Sequence, residues 1–465
     1  MTETTAPPSP SSASAEIPRL SRDPSFWGMT VTQFLGAFND NLFKQLVLLL
    51  CVDYYTIAGF DYQALAMGVF ALPFVLLSGF SGFLSDRWSK SRIIVWCKVA
   101  EIAIAAFAML AFFLGRENPG VQLFGLMVVL CLLAAQSAVF GPSKYGILPN
   151  LFREGDLPII NGAIQMTTFL AIILGTAAAG FSKEWYREHL WIVSAFGMVI
   201  AVAGTFTSLL IRSTKAVSPN LKFEPYSLAI PQETLVYLKR DRALVVVLLV
   251  ASLFWFVGGV VQQIINAFGK QQLQVGDIRT SMFSVFIAVG ISIGCLLAGK
   301  LSGHRINFRL VTWGAWGMIA SLSVLTVLGL QSPEMVTDPA LRPPVALSEL
   351  FATESWIEFL SRLAFLTLGL AAGFFIVPLQ VFIQTRPPET QKGRMIGAMN
   401  LINWIFILGA GAFYSAGSIG LLAGNRPISH LFGTLALVLI PIAIWYRPHA
   451  AAHFRDDVSS VNQQG

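Results

Sequence analysis

The sequence predicts an all-α membrane protein with twelve transmembrane helices arranged in two pseudo-symmetric six-helix halves. Of its 465 residues, 55% are hydrophobic and only 12% are charged, and the mean hydropathy is +0.67. A soluble globule of this size needs more polar residues to cover its surface. About twelve apolar runs also reach the roughly 20 residues that cross a bilayer core. The chain is therefore expected to cross a phospholipid membrane many times.

The apolar runs give the predicted boundaries of each element. The predicted transmembrane spans are residues 27–52, 62–84, 93–115, 121–141, 158–181, 190–211, 243–268, 279–301, 310–330, 356–383, 394–417 and 428–446. The predicted organisation is a disordered cytoplasmic tail at 1–25, a first half at 26–212, a linker at 213–242, a second half at 243–447 and a cytoplasmic tail at 448–465. The first tail is rich in Ser, Pro and Thr and lacks the apolar core of a cleaved signal peptide.

Charges in the loops predict which way the chain crosses the membrane. Lysine and arginine collect in alternate loops, which the positive-inside rule assigns to the cytoplasm together with both termini. The opposite loops are expected to carry Asp53, Asp61 and a balanced set from Lys183 to Glu188. The linker ends in a segment, 231–242, that is typical of an amphipathic helix at the membrane surface.

Short repeated motifs indicate that the two halves arose by duplication. The stretch from Gly82 to Arg87 leaves the second span, and a related stretch from Gly299 to Arg305 leaves the eighth. Asn161-Gly-Ala opens the fifth span, whereas Ile396-Gly-Ala opens the eleventh, and polar residues follow both in the same register. Transporters built from such repeats place their substrate between the repeats near the midplane.

Several classes of protein are excluded by composition. The formal net charge is +6, but the basic residues lie in short loops and form no aromatic-interleaved stripe, so no nucleic-acid partner is expected. The four cysteines have no C-x-x-C spacing and no histidine partners, so neither a metal site nor any cofactor is predicted. No nucleophile, base and acid form a convincing set, and the chain is expected not to be an enzyme.

The first span carries an unusual polar cluster. Asn39, Asp40, Asn41, Lys44 and Gln45 lie in the middle of an apolar stretch, where an Asp or Lys costs roughly 2.5 to 3.5 kcal/mol. The spacing of Asp40 and Lys44 predicts that they share one helix face and partly neutralise each other. Such a pair is expected to face a central cavity as a functional site. The alternative is a structural ion pair that locks two helices.

The loop from Gly82 to Arg92 reads G-x-x-x-D-R-x-x-K-x-R and resembles the cytoplasmic signature of the major facilitator superfamily. Glycine permits close helix approach, an acid can cap a helix or pair across a gap, and basic residues hold the loop inside. The resemblance implies a gating role, without substrate contact, for Gly82, Asp86, Arg87 and Arg92. The alternative is an ordinary charged loop.

Three further strings resemble the bacterial lysophospholipid transporter branch of that superfamily. They are Gln33-Phe-Leu-Gly-Ala-Phe-Asn-Asp-Asn41 with Lys44, Phe140-Gly-Pro-Ser-Lys144-Tyr-Gly-Ile-Leu-Pro149, and Asn161-Gly followed by Thr167-Thr168. The resemblance implies the major facilitator fold, alternating access, location in the bacterial inner membrane and movement of lysophospholipids to the inner leaflet for reacylation. Some members are fused to an acyltransferase; this chain has no H-x-x-x-x-D motif, so any acyltransferase would be a separate partner.

Residue chemistry suits an amphiphile with a zwitterionic or anionic head. Asp40 can accept an ammonium group or a proton, and Lys44 and Lys144 can hold a phosphate. The candidate partners for glycerol hydroxyls are the amides and hydroxyl of Asn39, Asn41, Gln165, Thr168, Asn400 and Asn403. Alternatives remain: Lys144 can simply end the fourth span at the interface, and the other groups can be interhelical hydrogen-bonding residues.

Two more charged pairs are interpreted as structural. Lys98 and Glu101 are three residues apart, and Glu358 and Arg362 are four apart, which suits pairing within a helix. Lys98 is expected to extend its amine toward the cytoplasmic interface.

Two other functions remain open at this stage. One is a proton-coupled exporter of drugs or small metabolites in which Asp40 titrates. The other is a non-transporting protein that presents lipid to an acyltransferase.

Overall fold

A computed structural model shows a bundle of α-helices. The structure describes residues 20–58, 62–153, 156–216, 218–220, 232–302, 307–331, 352–353, 355–386, 392–424 and 426–446. Its helices are α1 (Pro24–Ala58), α2 (Gln63–Arg87), α3 (Lys90–Leu114), α4 (Pro119–Gly146), α5 (Leu148–Leu151), α6 (Leu157–Trp185), α7 (Trp191–Ser208), α8 (Gln232–Arg240), α9 (Arg242–Ala267), α10 (Gly276–Ser302), α11 (Arg309–Leu330), α12 (Trp356–Thr385), α13 (Lys392–Ala423) and α14 (His430–Trp445).

The transmembrane helices agree with the predicted spans to within several residues at each end. Within the described residues, eleven helices are long and apolar enough to cross a membrane, and α14 is a shorter apolar helix. The prediction of an all-helical membrane protein with about twelve spans is therefore confirmed. The linker segment that was predicted to form an amphipathic helix is helical as α8, with Leu238 buried and Val236 exposed, and its position at the membrane surface stays a prediction.

The helices form two groups that meet around a central axis. We call α1–α7 the first half and α9–α14 the second half. The halves meet along two lateral seams, α2 against α13 and α6 against α10, and also where α1 passes α9. We call the end of the bundle at which Pro24 lies the near end, and the end at which Ala58 lies the far end.

Glycine pairs bring α10 and α12 into very close contact in the second half. Gly290 and Gly294 on α10 face Gly369 and Gly373 on α12, so both helices carry the G-x-x-x-G spacing. A Cβ at Gly290 would overlap the carbonyl oxygen of Leu366, and a Cβ at any of the other three glycines would likewise overlap the backbone of the facing helix. Small residues are favoured at such interfaces because van der Waals packing, rather than the hydrophobic effect, holds membrane helices together.

Helical structure is present before the first predicted span. Leu20–Arg22 form a short 3-10 helix, although the sequence placed these residues in the disordered tail. Asp23 is buried and accepts a hydrogen bond of 2.8 Å from the guanidinium of Arg212, at the end of the first half. This ion pair joins the beginning of α1 to the segment after α7. The rest of the predicted tails, 1–19 and 447–465, lies outside the described residues.

Candidate functional site

A cavity of about 380 Å³ lies between the halves, midway along the bundle. Its walls come from α1, α2 and α6 of the first half and from α9, α10, α11, α12 and α13 of the second. Among the described residues that line it, Asp40 and Lys44 are the charged ones. Both project from α1 and lie on the same face, as their four-residue spacing predicts. The cavity therefore presents one acid and one base on a single wall.

Asp40 and Lys44 bind different neighbours rather than each other. One carboxylate oxygen of Asp40 accepts a hydrogen bond from the hydroxyl of Ser137 on α4, and its Oδ1 has no hydrogen-bond partner among the described residues. Lys44 Nζ donates to Asn41 Oδ1 at 2.9 Å and lies 5.5 Å from the ring centre of Phe70. The predicted mutual neutralisation does not take the form of a direct ion pair in the described part of the chain, because Ser137 and Asn41 hold the two groups separately.

The remaining cavity walls are mostly apolar. Phe74 on α2 stacks on Trp404 on α13, with ring centres 3.8 Å apart and planes 8° from parallel, and Phe70 packs against the same indole. This aromatic group closes the α2/α13 seam beside the cavity. In the second half, the described polar side chains on the wall include Gln262 and Ser284, which are hydrogen-bonded to each other at 3.1 Å. An acyl chain can therefore lie against these surfaces without burying an unpaired polar group.

Gln33 is hydrogen-bonded to a second group of polar side chains. It lies about two turns of α1 closer to the near end than Asp40. Its amide nitrogen donates to Thr167 Oγ1 at 2.5 Å, and its amide oxygen accepts from Thr168 Oγ1 at 2.9 Å and from Lys144 Nζ at 3.4 Å. Thr168 also lines the cavity. The structure therefore links Lys144 to the cavity through Gln33 and Thr168. The importance of Gln33 was missed, because a single glutamine carries no charge signal in the sequence.

Asn39 lies on the opposite side of α1, away from the cavity. Its amide donates to Glu101 Oε1 at 2.7 Å, and Glu101 Oε2 pairs with Lys98 Nζ at 2.5 Å. All three residues are at most 1% exposed. The predicted pairing of Lys98 with Glu101 is confirmed, but Lys98 does not extend toward the interface. Its amine instead fills the space beside Gly36, where a Cβ would lie 2.2 Å from Nζ.

The two amide residues on α13 that were proposed for the site do not line the cavity. Asn403 is buried within the second half, where its Oδ1 accepts a hydrogen bond of 2.8 Å from Ser252 on α9. Asn400 is exposed on α13 and does not line the cavity. Gln165 lies in α6, but its side chain is outside the part that the structure describes. Contacts of Asn403 favour the alternative that it hydrogen-bonds between helices.

The motif predicted to act as a gate lies at the near end, where α2 is followed by α3. A Cβ at Gly82 would meet none of the described atoms within 4 Å, so no close helix packing occurs there. Asp86 and Arg92 are exposed, and Arg87 lies 5.7 Å from the ring centre of Phe83. The carbonyl oxygen of Asp86 accepts a hydrogen bond of 2.9 Å from the amide of Ser218 in the linker. The gating role of these residues stays a prediction.

Buried amides close the cavity toward the far end. Gln45 donates to Asn266 at 2.9 Å, Asn266 donates to Gln63 at 2.9 Å, and Gln63 donates to the hydroxyl of Tyr414 at 3.1 Å. Gln262 also donates to Gln45 at 3.0 Å. These bonds join α1 and α2 to α9 and α13, so each crosses between the halves. Burial of these amides is tolerated because each of these hydrogen bonds within the protein replaces one to water.

A cluster of four charges lies beyond these amides, at the far end. Lys183 on α6 pairs with Asp53 on α1 at 2.5 Å and with Asp277 on α10 at 2.7 Å. Lys270, just after α9, pairs with Asp277 at 2.8 Å and also with Asp53. The sequence placed Asp53 and Lys183 in loops, but both lie in helices that extend beyond the apolar runs. Lys270 and Asp277 were not singled out.

Sequence comparisons with other proteins support this architecture. The family model for the Major Facilitator Superfamily matches residues 29–411. The lysophospholipid transporter LplT of Salmonella arizonae is 28% identical over 431 residues, which cover 90% of this chain and 95% of that protein. The protein of the same name from Escherichia coli O9:H4 is 26% identical over 428 residues, with the same coverage of both chains.

Solved structures of transporters share the fold at low sequence identity. The nucleoside transporter NupG superposes with a TM-score of 0.58 at 12% identity and covers 90% of this chain and 97% of its own. A peptide transporter, POT, in complex with sulfate gives a TM-score of 0.62 at 16% identity, with 90% and 94% covered. With the family model spanning both halves and the cavity between them, the chain belongs to the Major Facilitator Superfamily of transporters.

Proposed function

We propose that this protein moves lysophospholipids across the bacterial inner membrane toward the cytoplasmic leaflet by alternating access. The observation that carries the proposal is the cavity between the halves, where one acid and one base share a wall and the other walls are mostly apolar. A zwitterionic head with a single acyl chain matches this distribution of charge and apolar surface. The relatives named lysophospholipid transporters support the same substrate class.

Each polar group on the α1 wall has a role in this proposal. Oδ1 of Asp40, which has no hydrogen-bond partner in the described part of the chain, accepts the ammonium of an ethanolamine head, and Lys44 Nζ, which donates to Asn41, can also donate to the phosphate. Lys144 and Thr168, joined through Gln33, form the next polar group toward the near end. A head that leaves Asp40 in that direction would pass from one polar group to another.

The contacts that close the far end support the proposed direction. The hydrogen bonds and ion pairs that join described residues of the two halves lie on the far side of Asp40, in the amides around Gln45 and in the four-charge cluster. If the basic loops and both termini lie in the cytoplasm, as the positive-inside rule predicts, the near end is cytoplasmic, and the closed far end supports an inward-facing state in this proposal. The head bound at Asp40 is then released toward the inner leaflet.

Reconstitution of the purified protein in liposomes tests the proposal. Labelled lysophosphatidylethanolamine should cross the bilayer with the native chain, and Asp40→Asn should abolish this movement because the ammonium loses its charged partner. Lys44→Met should raise the concentration for half-maximal transport about tenfold or more, since hydrogen bonds to charged groups contribute roughly 1.5–3 kcal/mol.

Asn400→Ala is the matched control, because this exposed amide on α13 does not line the cavity. Its transport should equal that of the native chain. Normal lipid movement by a folded Asp40→Asn protein would contradict the site. Efflux of a soluble compound driven by a pH gradient, with no lipid movement, would favour a proton-coupled exporter instead. A native chain that moved lipid only in the presence of an acyltransferase would favour a lipid-presenting partner.

A further inference from the structure

The four-charge cluster at the far end has an unusual division between the halves. The first half supplies one acid and one base, Asp53 and Lys183, and the second half supplies the other base and acid, Lys270 and Asp277. Lys183, Lys270 and Asp277 have side chains that are 4–7% exposed, whereas Asp53 is 40% exposed. Each base contacts both acids, so within this cluster every charge has a partner in its own half and a partner across the boundary.

We propose that this cluster is the far-end gate and that it opens by exchanging four ion pairs for two. When the halves separate, the contacts from Asp53 to Lys270 and from Lys183 to Asp277 break. The contacts within each half, Asp53 with Lys183 at 2.5 Å and Lys270 with Asp277 at 2.8 Å, remain. Neither half is left with an uncompensated charge, which is the most costly outcome when a buried pair is broken. The gate can therefore open without a coupling ion or a proton.

Other groups at the same end fit this arrangement. Lys270 Nζ also donates to the carbonyl oxygen of Leu49 at 3.2 Å, and the carboxylate of Glu184 on α6 accepts from the amide of Ile278 in the first turn of α10 at 3.0 Å. Both bonds cross between the halves. Separation of the two halves therefore has to break these two hydrogen bonds as well. It does not affect the ion pair of Asp53 with Lys183 or that of Lys270 with Asp277.

The proposal makes an unusual prediction for charge reversal within one half. In the double variant Lys270→Asp with Asp277→Lys, the second half keeps its own ion pair. Across the boundary, however, an acid now faces Asp53 and a base faces Lys183, so both contacts become repulsive. The double variant Asp53→Lys with Lys183→Asp does the same from the first half. Reversing all four residues restores attraction at all four contacts.

The experiment measures how fast a reporter cysteine in the cavity reacts from the far-end side. The reporter is Thr176→Cys, which lines the cavity on α6, in a chain whose four native cysteines are replaced by alanine. A membrane-impermeant maleimide is added to intact cells and, separately, to inverted membrane vesicles. Each double reversal should speed labelling from the far-end side about tenfold or more, because it shifts the population toward an outward-open state. The four-residue reversal should return labelling to the rate of the unreversed reporter chain.

Two results would overturn the proposal. One is unchanged labelling in both double reversals, which would mean that the contacts across the boundary do not hold the gate closed. The other is a four-residue reversal that stays as open as the double reversals, as expected if the native groups act in another way. If neither double reversal folds, as judged by size-exclusion chromatography, recovery of folded protein in the four-residue reversal supports the proposal and its absence overturns it. The inference rests on the proposed alternating access, but labelling needs no substrate, so a failure to transport lysophospholipid would be distinguished from it.

Discussion

The buried ion pair behind α1 allows a quantitative prediction for stability. Lys98→Met removes the cation that lies 2.5 Å from Glu101, and among the described residues the amide of Asn39 at 2.7 Å is the partner that stays with the carboxylate. Glu101→Gln keeps an oxygen that can accept from Asn39 but leaves Lys98 without its anion. The double variant contains neither charge, and a new amide can still accept from Asn39. The three chains and the native protein form a double-mutant cycle.

The expected magnitudes follow from burial. The side chains of Lys98 and Glu101 are 2% and 1% exposed, so breaking the pair should cost about 3–5 kcal/mol in either single variant. The double variant should lose much less than the sum, because no unpaired charge remains in the protein interior. We therefore expect a coupling free energy above about 2 kcal/mol, whereas hydrogen bonds between membrane helices average about 0.6 and reach about 1.7 kcal/mol.

The free energy of unfolding can be measured by equilibrium denaturation in mixed detergent micelles, followed by tryptophan fluorescence. The matched comparison is the cycle Ser252→Ala with Asn403→Ala, which removes a neutral hydrogen bond of 2.8 Å inside the second half. That cycle should give a coupling near the average for membrane helices. If the coupling of Lys98 with Glu101 were no larger, the pair would contribute only as an ordinary polar contact, and the argument from buried charge would be refuted.

Four further variants, one of them a control, test the helix packing and the cavity. Gly175→Ala should reduce the yield of folded protein, because its Cβ would lie 2.5 Å from the backbone oxygen of Phe38, whereas Gly420→Ala, with open space around its Cβ, should not. Trp404→Ala removes the ring stacked on Phe74 and should weaken transport of long-chain lysophospholipids more than that of short-chain ones; an equal loss for both chain lengths would contradict the assigned apolar wall. Gln63→Leu breaks bonds to Asn266 and Tyr414 and should speed far-end labelling of the cavity reporter; unchanged labelling would mean that the amides do not help to close that end.

The fold could be predicted from the sequence because length and apolarity define a membrane helix almost alone. Errors occurred where a helix continues past its apolar run. For example, α6 was expected to end at residue 181 but continues to Trp185, and this extra turn carries Lys183 into a helix. Charged residues at such ends look like loop residues in a hydropathy profile. They can remain helical when acids from other helices pair with them, as Asp53 and Asp277 do here.

The candidate site could be predicted only in part. An acid and a base in the middle of a span indicate a cavity, and the structure places both Asp40 and Lys44 on its wall. Which neighbours hold them depends on long-range packing, so Ser137, which donates a hydrogen bond to Asp40, carried no recognisable signal. Asn39 was also predicted to bind substrate, but it does not face the cavity. One residue along α1 turns the side chain by about 100°, toward Glu101 and away from the cavity.

The two charged groups on the cavity wall belong to one helix of the first half, while the wall of the second half that the structure describes is neutral. Under the proposed function, a polar cargo held by α1 would move together with the first half. The second half would move past this cargo on amide and hydrocarbon surfaces, with no strong electrostatic bond to the cargo to break. Under the proposed alternating access, the contacts that have to break are the amides and ion pairs toward the far end, and substitutions at Asp40 or Lys44 would change the affinity for cargo without removing any of them.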